Sequence, residues 1–300
     1  MNLLLTGAWQ GAKENISKLE EMGHLVHFLQ YEKDELPCEY TWVEGVVCNG
    51  LFLHHNIEKF TNLRYIQLTS AGFDRVPMDY IQSHGITIHN ASGVYSIPMA
   101  EYALWGVLTL YKQGKFFLEN QKQHKWEKHR GLLELSGKTV LILGCGSVGS
   151  ECAKRFESFG CKVLGIASRA RKQEYFTEVK TMETLADMLP LADIVVLALP
   201  LTEQTRGLFS TEMFGFMKPG AILVNIARGA IVDTAAMVEA LRCKLYGAVL
   251  DVFEEEPLAD DSAVWDFENV IVTPHNSFVG ENNMKRLHNN IIERLTLYLV

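Results

Sequence analysis

Cysteine and proline are scarce in this 300-residue sequence, at six and eight residues. Cys38, Cys48, Cys145, Cys152, Cys161 and Cys243 form no CxxC pair and no metal-ligand spacing. A disulfide scaffold and a zinc module are thereby disfavoured; the expectation is reduced thiols, a cytoplasmic protein and no metal. Long apolar runs are missing too. None approaches the ~18 residues of a membrane span, and the richest helical segment, from Ile97, carries Glu101 in its first turn. The opening MNLLLTGAWQG lacks a basic stretch and a small-residue cleavage site, so no signal peptide is expected there. Concentrated positive charge is also absent: 28 basic residues face 36 acidic ones, for a net charge of −8. Phosphate-backbone binding needs dense cationic patches, which disfavours a nucleic-acid partner. No solenoid-period repeat or low-complexity segment occurs.

What is present is ordinary globular composition, 48% hydrophobic and 21% charged. At about 150 residues per domain, the length suggests two domains, each able to bury a core. Strand-length apolar runs alternate with helix-period segments, the pattern of parallel sheets with crossover helices. NLLL, HLVHFL, GVVC, RYIQLT and GITI read as strands of a first unit, with helices near Lys13–Met22 and Val76–Ser83 between them. One long helix is expected from about Ile97 to Gln123, opened by Pro98. The pattern then restarts with KTVLIL, KVLGIA, DIVVLAL, AILVNI, GAVL and NVIVT. Six strands with helical crossovers match a full dinucleotide-binding domain, over about residues 96–275. The stretch Glu281–Leu299 reads as a final helix.

TVLILGCGSVG places Gly144, Gly146 and Gly149 directly after a strand and at the start of a helix. The first glycine permits the tight turn, the second lets a pyrophosphate approach the backbone, and the third allows close helix–strand packing. The N–H groups of Ser147 and Val148 would face the anion, with the helix dipole behind them. Taken alone, such a loop also suits another nucleotide, such as S-adenosylmethionine. The second strand indicates which dinucleotide is used. NAD-binding domains normally end it in Asp or Glu for the ribose hydroxyls. Here Ser168 and Arg169 follow the strand, with Arg171 and Lys172 just beyond. A hydroxyl and a guanidinium fork suit a 2′-phosphate, although a solvated basic turn would read the same way. NADP(H) is expected over NAD(H).

LVNIARGAIVD, AVLDVFEEEPL and VIVTPHNSF follow three successive strands, at the edge where open α/β sheets bind ligands. Singly, each has a plain structural explanation: an Arg-Gly turn, an acidic run, a histidine capping a strand end. Together with LILGCGSVG and ALPLTEQTRGLF, in this order, they resemble the D-isomer-specific 2-hydroxyacid dehydrogenase family over nearly all of residues 60–300.

The resemblance implies two Rossmann- or flavodoxin-like domains with parallel sheets and an active site in the interdomain cleft. Residues 1–95 plus 276–300 would form the substrate domain and 96–275 the NAD(P) domain. By the same resemblance, Arg228 clamps the substrate carboxylate and polarises the carbonyl, and His275 supplies the proton. Among Glu254, Glu255 and Glu256, the family's acid directly before Pro selects Glu256 as the partner of the histidine. Asp251 would sit beside the nicotinamide carboxamide, and Pro200, Thr205 and Ala227 would border the cofactor. In the first unit, Ser70, Ala71 and Gly72 would receive the substrate carboxylate on backbone amides, with Gly93 and Val94 near the nicotinamide. A homodimer through the cofactor domain is implied as well. After the histidine, Asn276-Ser277-Phe278 departs from the aliphatic and small residues of many members. The missing strand-end acid resembles the NADPH-using glyoxylate and hydroxypyruvate reductases. The expected activity is thus reduction of a small 2-oxo acid to a D-2-hydroxy acid. The alternatives are an NAD-linked biosynthetic enzyme of phosphoglycerate type and a dinucleotide-sensing protein like the family's corepressors.

Overall fold

Five short apolar runs build the first sheet: β1 (Asn2–Thr6), β2 (Leu25–Leu29), β3 (Gly45–Cys48), β4 (Tyr65–Leu68) and β5 (Thr87–His89). The structure is a computed structural model and describes residues 1–298. The strands are parallel in the order β2-β1-β3-β4-β5, with α1 (Ile16–Glu21) and α2 (Met78–Ser83) among the connections. Alternation sends Leu4, Val46 and Ile66 into one core and Leu3, Leu5, Val47 and Tyr65 into another, one on each face of the sheet.

The second unit opens with α3 (Ser96–Tyr111) and α4 (Gly114–Lys122). The single long helix expected here is therefore broken. Gln113 takes a left-handed backbone, φ +55°, which an L residue in a continuous helix cannot adopt. Its side chain donates to the Tyr246 hydroxyl (2.8 Å) and to the Leu110 carbonyl. The seven-stranded parallel sheet follows: β6 (Thr139–Leu143), β7 (Lys162–Ile166), β8 (Glu178–Lys180), β9 (Ile194–Leu197), β10 (Ile222–Asn225), β11 (Gly247–Leu250) and β12 (Val270–Val272). Its order is β12-β11-β10-β9-β6-β7-β8. Helices α5 (Ser147–Ser158), α6 (Leu185–Met188), α7 (Thr211–Phe216) and α8 (Thr234–Cys243) lie along the connections. The sequence indicates six of these strands. The seventh, β8, is an edge strand in which only Val179 is buried between Glu178 and Lys180, so it forms no apolar run.

The chain divides into two compact units, Met1–Tyr95 with the segment from Gly280 onward, and Ser96–Val279. The return falls after Val279 rather than after His275, because the Asn276 and Ser277 N–H groups donate to Asp251. The last helix, α9 (Asn283–Tyr298), turns Leu287, Ile291 and Leu295 into the first unit's core at i, i+4 and i+8 spacing. Among the described residues, no helix is long and apolar enough to cross a membrane.

One buried group sets a pH limit on the first unit. His24 is 1% exposed, and neither ring nitrogen has a hydrogen-bond partner. Burial pushes its pKa below the ordinary histidine value of 6.5. The folded state therefore binds this proton less readily than the unfolded chain, and the cost grows as pH falls below 6.5. Thermal unfolding followed at pH 7.5 and pH 5 should show a lower midpoint in acid, and His24→Leu should shrink that difference. An undiminished difference in the variant would assign acid sensitivity elsewhere.

Candidate active site

Three strand ends of the second unit carry the candidate chemistry. After β10, the turn 226–228 is bracketed by Asn225, which is 1% exposed. Its side chain accepts from the Ala227 N–H (3.1 Å) and donates to the Arg228 carbonyl (3.1 Å). Arg228 follows with an extended backbone, and its guanidinium donates to the Ala227 carbonyl at 2.7 Å. Gly229 is a packing necessity: a Cβ there would lie 1.8 Å from the Phe253 carbonyl carbon. Motif spacing highlights Arg228 but passes over Asn225, whose buried amide is the signal that it holds the turn.

The acidic run after β11 separates by geometry. Glu254 accepts from the Thr234 hydroxyl at 2.5 Å, facing α8. Glu256 accepts from the Phe253 N–H on Oε1 (3.0 Å) and meets His275 Nδ1 with Oε2 at 2.8 Å. Both its oxygens are thus fixed, and the imidazole is oriented through Nδ1. The histidine and its glutamate remain 42% and 37% exposed, within reach of a substrate. With the carboxylate on Nδ1, the ring is held so that its other nitrogen is left for a substrate. Such a pair can deliver a proton or take one up; with a guanidinium offered after another strand of the same sheet, that chemistry suits reduction of a carbonyl next to a carboxylate.

Asp251 is buried, 1% exposed, and its carboxylate turns inward. Oδ1 accepts from the Thr273 hydroxyl (2.6 Å) and the Asn276 N–H (2.7 Å), and Oδ2 from the Ser277 N–H (2.9 Å).

The glycine loop passes a test of fit to a dinucleotide. Gly144 has φ +98°, and a Cβ there would lie 2.5 Å from the Ala198 carbonyl oxygen; one on Gly149 would lie 2.0 Å from the Gly144 oxygen. Both are demanded by packing. A Cβ on Gly146 would meet nothing within 4 Å, and Gly146 caps the 12-residue α5 without a side chain. That leaves exposed backbone at Gly146 and Ser147 where an anion can approach the helix N-terminus, with Val148 half-buried behind. The loop is braced from below: Arg171 and Gln173 both donate to the Cys145 carbonyl, at 2.8 and 3.1 Å. Ser168 and Arg169 are exposed just past β7. Pro200 and Thr205 belong to one turn, in which the Thr205 hydroxyl donates to the Pro200 carbonyl at 2.8 Å. Ala227 is buried in the Asn225 bracket.

In the first unit, Ser70, Ala71 and Gly72 form a turn after β4, in which the Ser70 hydroxyl donates to the Gly72 carbonyl at 3.1 Å. Asn90 donates to the Ala71 carbonyl (2.6 Å) and the Ala91 N–H to the Ser70 carbonyl (2.9 Å). The turn is thereby tied to the segment carrying Gly93, at φ +85°, and buried Val94.

Comparison with known proteins points the same way. A family profile described as D-isomer specific 2-hydroxyacid dehydrogenase, NAD binding domain, matches residues 104–277. A glyoxylate reductase of Pyrococcus horikoshii is 35% identical over 232 residues, covering 73% of this chain and 68% of the relative. A D-3-phosphoglycerate dehydrogenase of Archaeoglobus fulgidus is 34% identical over 224 residues, 73% of this chain. The match spans only 42% of that relative's own length. Among solved structures, a D-isomer specific 2-hydroxyacid dehydrogenase from Xanthobacter autotrophicus, in complex with NADPH and MES, has a TM-score of 0.80 at 26% identity. It covers 99% of this chain and 95% of its own.

Proposed function

The chain belongs to the D-isomer-specific 2-hydroxyacid dehydrogenase family, enzymes that act on the CH–OH group, and on that premise we propose that it reduces a small 2-oxo acid to the D-2-hydroxy acid with NADPH. The observation that carries the reading is the Glu256–His275 pair at 2.8 Å, with Arg228 at the end of a neighbouring strand of the same sheet. Arg228 holds the substrate carboxylate and polarises the adjacent carbonyl. His275, steadied by Glu256, gives a proton to the carbonyl oxygen as negative charge develops there. Bound at the Gly144–Gly149 loop, with Pro200, Thr205 and Ala227 along its border, the reduced dinucleotide supplies the hydride.

Preference for NADPH rests on Ser168 and Arg169, which stand where an NAD enzyme carries a carboxylate. Arg169→Ala should raise KM for NADPH on the order of tenfold, the scale of a lost charge-assisted hydrogen bond, while changing KM for NADH little. Equal losses for both cofactors would remove the 2′-phosphate from the argument. A dimer through the second unit is part of the same proposal. Trp105, Leu118 and Trp126 are 48, 60 and 98% exposed, apolar side chains of the second unit that a second copy would cover. A monomer in sedimentation would overturn the dimer.

The deciding experiment follows oxidation of NADPH and NADH with glyoxylate, hydroxypyruvate, pyruvate and phosphohydroxypyruvate. Turnover with NADPH and one of the small acids is expected. Preference for NADH and the phosphorylated acid would favour the phosphoglycerate-type enzyme, and dinucleotide binding without turnover a sensor.

A further inference from the structure

We propose that Tyr102, Thr273 and Asp251 form a directed hydrogen-bond chain that positions His275, so that Tyr102 on α3 and Thr273 at the end of β12 are positioning residues for the proton transfer. The inference rests on the assignment of His275 as the acid. Tyr102 Oη lies 2.5 Å from Thr273 Oγ1, which lies 2.6 Å from Asp251 Oδ1. The direction follows from proton inventory. A carboxylate only accepts, so the one threonine hydroxyl proton goes to Asp251, and Tyr102 must therefore donate to Thr273. Burial raises the Tyr102 pKa to about 12, and the Thr273 contact offsets this only in part, so the phenol keeps that proton across the working range.

The backbone shows what this chain holds. His275 has φ +52°, a left-handed conformation in which a non-glycine residue is strained. It is kept there from both sides. The His275 N–H donates to the Asp251 carbonyl at 2.8 Å, and the next two N–H groups donate to the Asp251 carboxylate. Asp251 is itself anchored in the sheet by its N–H to the Asn225 carbonyl at 3.0 Å. The carboxylate thus clamps the turn that aims the imidazole, and the threonine hydroxyl, oriented by Tyr102, fixes the Oδ1 that the Asn276 N–H shares. Buried donors and acceptors joined in this way hold one geometry, and small misplacements of an acid are costly in rate.

The test compares Thr273→Val, Thr273→Ser and Tyr102→Phe in the full-length protein. Thr273→Val keeps the side-chain volume but deletes the hydroxyl; it should lower kcat about tenfold while leaving KM for NADPH within about twofold. Thr273→Ser restores the hydroxyl and should recover most of the rate. Tyr102→Phe removes only the outer donor and should cost about threefold in kcat. Amide hydrogen exchange at Asn276 and Ser277 is read in parallel. It should speed up in Thr273→Val and stay near wild type in Thr273→Ser. Unchanged kcat and exchange in Thr273→Val would overturn the chain, as would a rate loss that serine does not recover or that comes without faster exchange. If wild type turns over no 2-oxo acid, the proposed reaction fails, and the exchange comparison alone still decides whether the chain holds the turn.

Discussion

His275→Ala is expected to lower kcat by about 10²- to 10⁴-fold, the range a positioned general acid contributes, with the dissociation constant for NADPH nearly unchanged. The split follows from where the ring acts: on the proton of the substrate and not on the dinucleotide. Unchanged kcat would end its assignment as the acid. Glu256→Gln sharpens the point, because both carboxylate oxygens are committed. Oε1 accepts from the Phe253 N–H and Oε2 faces His275 Nδ1. A glutamine has one acceptor oxygen to offer. If that oxygen stays on Phe253, the amide NH₂ faces Nδ1, which must then be unprotonated, and the imidazolium is opposed. If the amide flips, the Phe253 N–H meets a donor. Either way the ring loses its carboxylate partner, and a kcat loss of about 10- to 100-fold is expected, less than for removal of the ring itself. Loss confined to KM for NADPH would instead place Glu256 at the cofactor.

The parts of the fold legible in the sequence are those that repeat an apolar signal locally. Strands β6, β7, β9, β10, β11 and β12 are nearly continuous apolar runs because both sheet faces are covered, so each announces itself without reference to the others. Strand β8 does not, since an edge strand with polar residues on either side of Val179 has no such run. The break between α3 and α4 was hidden for another reason. Lys112-Gln113-Gly114 carries one weak helix breaker, and the left-handed Gln113 is anchored by Tyr246, 133 residues away. At the site, Arg228, Glu256 and His275 stand out only together, because their motifs follow three successive strands in the order of one family. Asn225, Thr273 and Tyr102 do not, because asparagine and threonine are ordinary at strand ends and tyrosine is ordinary in a helix. Their meaning lies in hydrogen bonds that close only in three dimensions, such as Tyr102 to Thr273 across 171 positions. Asp251 carries two readings: motif resemblance sets it beside the nicotinamide, and the fold adds that its carboxylate accepts from Thr273, Asn276 and Ser277.

The glycine loop allows packing and ligand binding to be separated by two single-methyl changes. Gly149→Ala puts a Cβ 2.0 Å from the Gly144 carbonyl oxygen, a backbone atom that cannot swing aside. The helix must move off β6, and overpacking of this kind costs about 1–3 kcal/mol. For a unit of this size, that corresponds to a fall in Tm of about 2–12 °C. Gly146→Ala differs at every step. Gly146 has an extended backbone, φ −82° and ψ −157°, which alanine adopts freely, and the added carbon meets nothing within 4 Å. Its Tm should stay within about 1 °C of wild type, as for a substitution that touches no packed feature. The dissociation constant for NADPH should nevertheless rise about tenfold or more, because the methyl occupies the space through which a pyrophosphate reaches the N-terminus of α5. If Gly146→Ala binds dinucleotide like wild type, the anion does not sit on this turn and the phosphate-loop assignment fails, whatever the variant's stability. If it unfolds instead, Gly146 has a packing role that the open space around it contradicts. Only unchanged stability with lost binding makes the second glycine a clearance for a ligand.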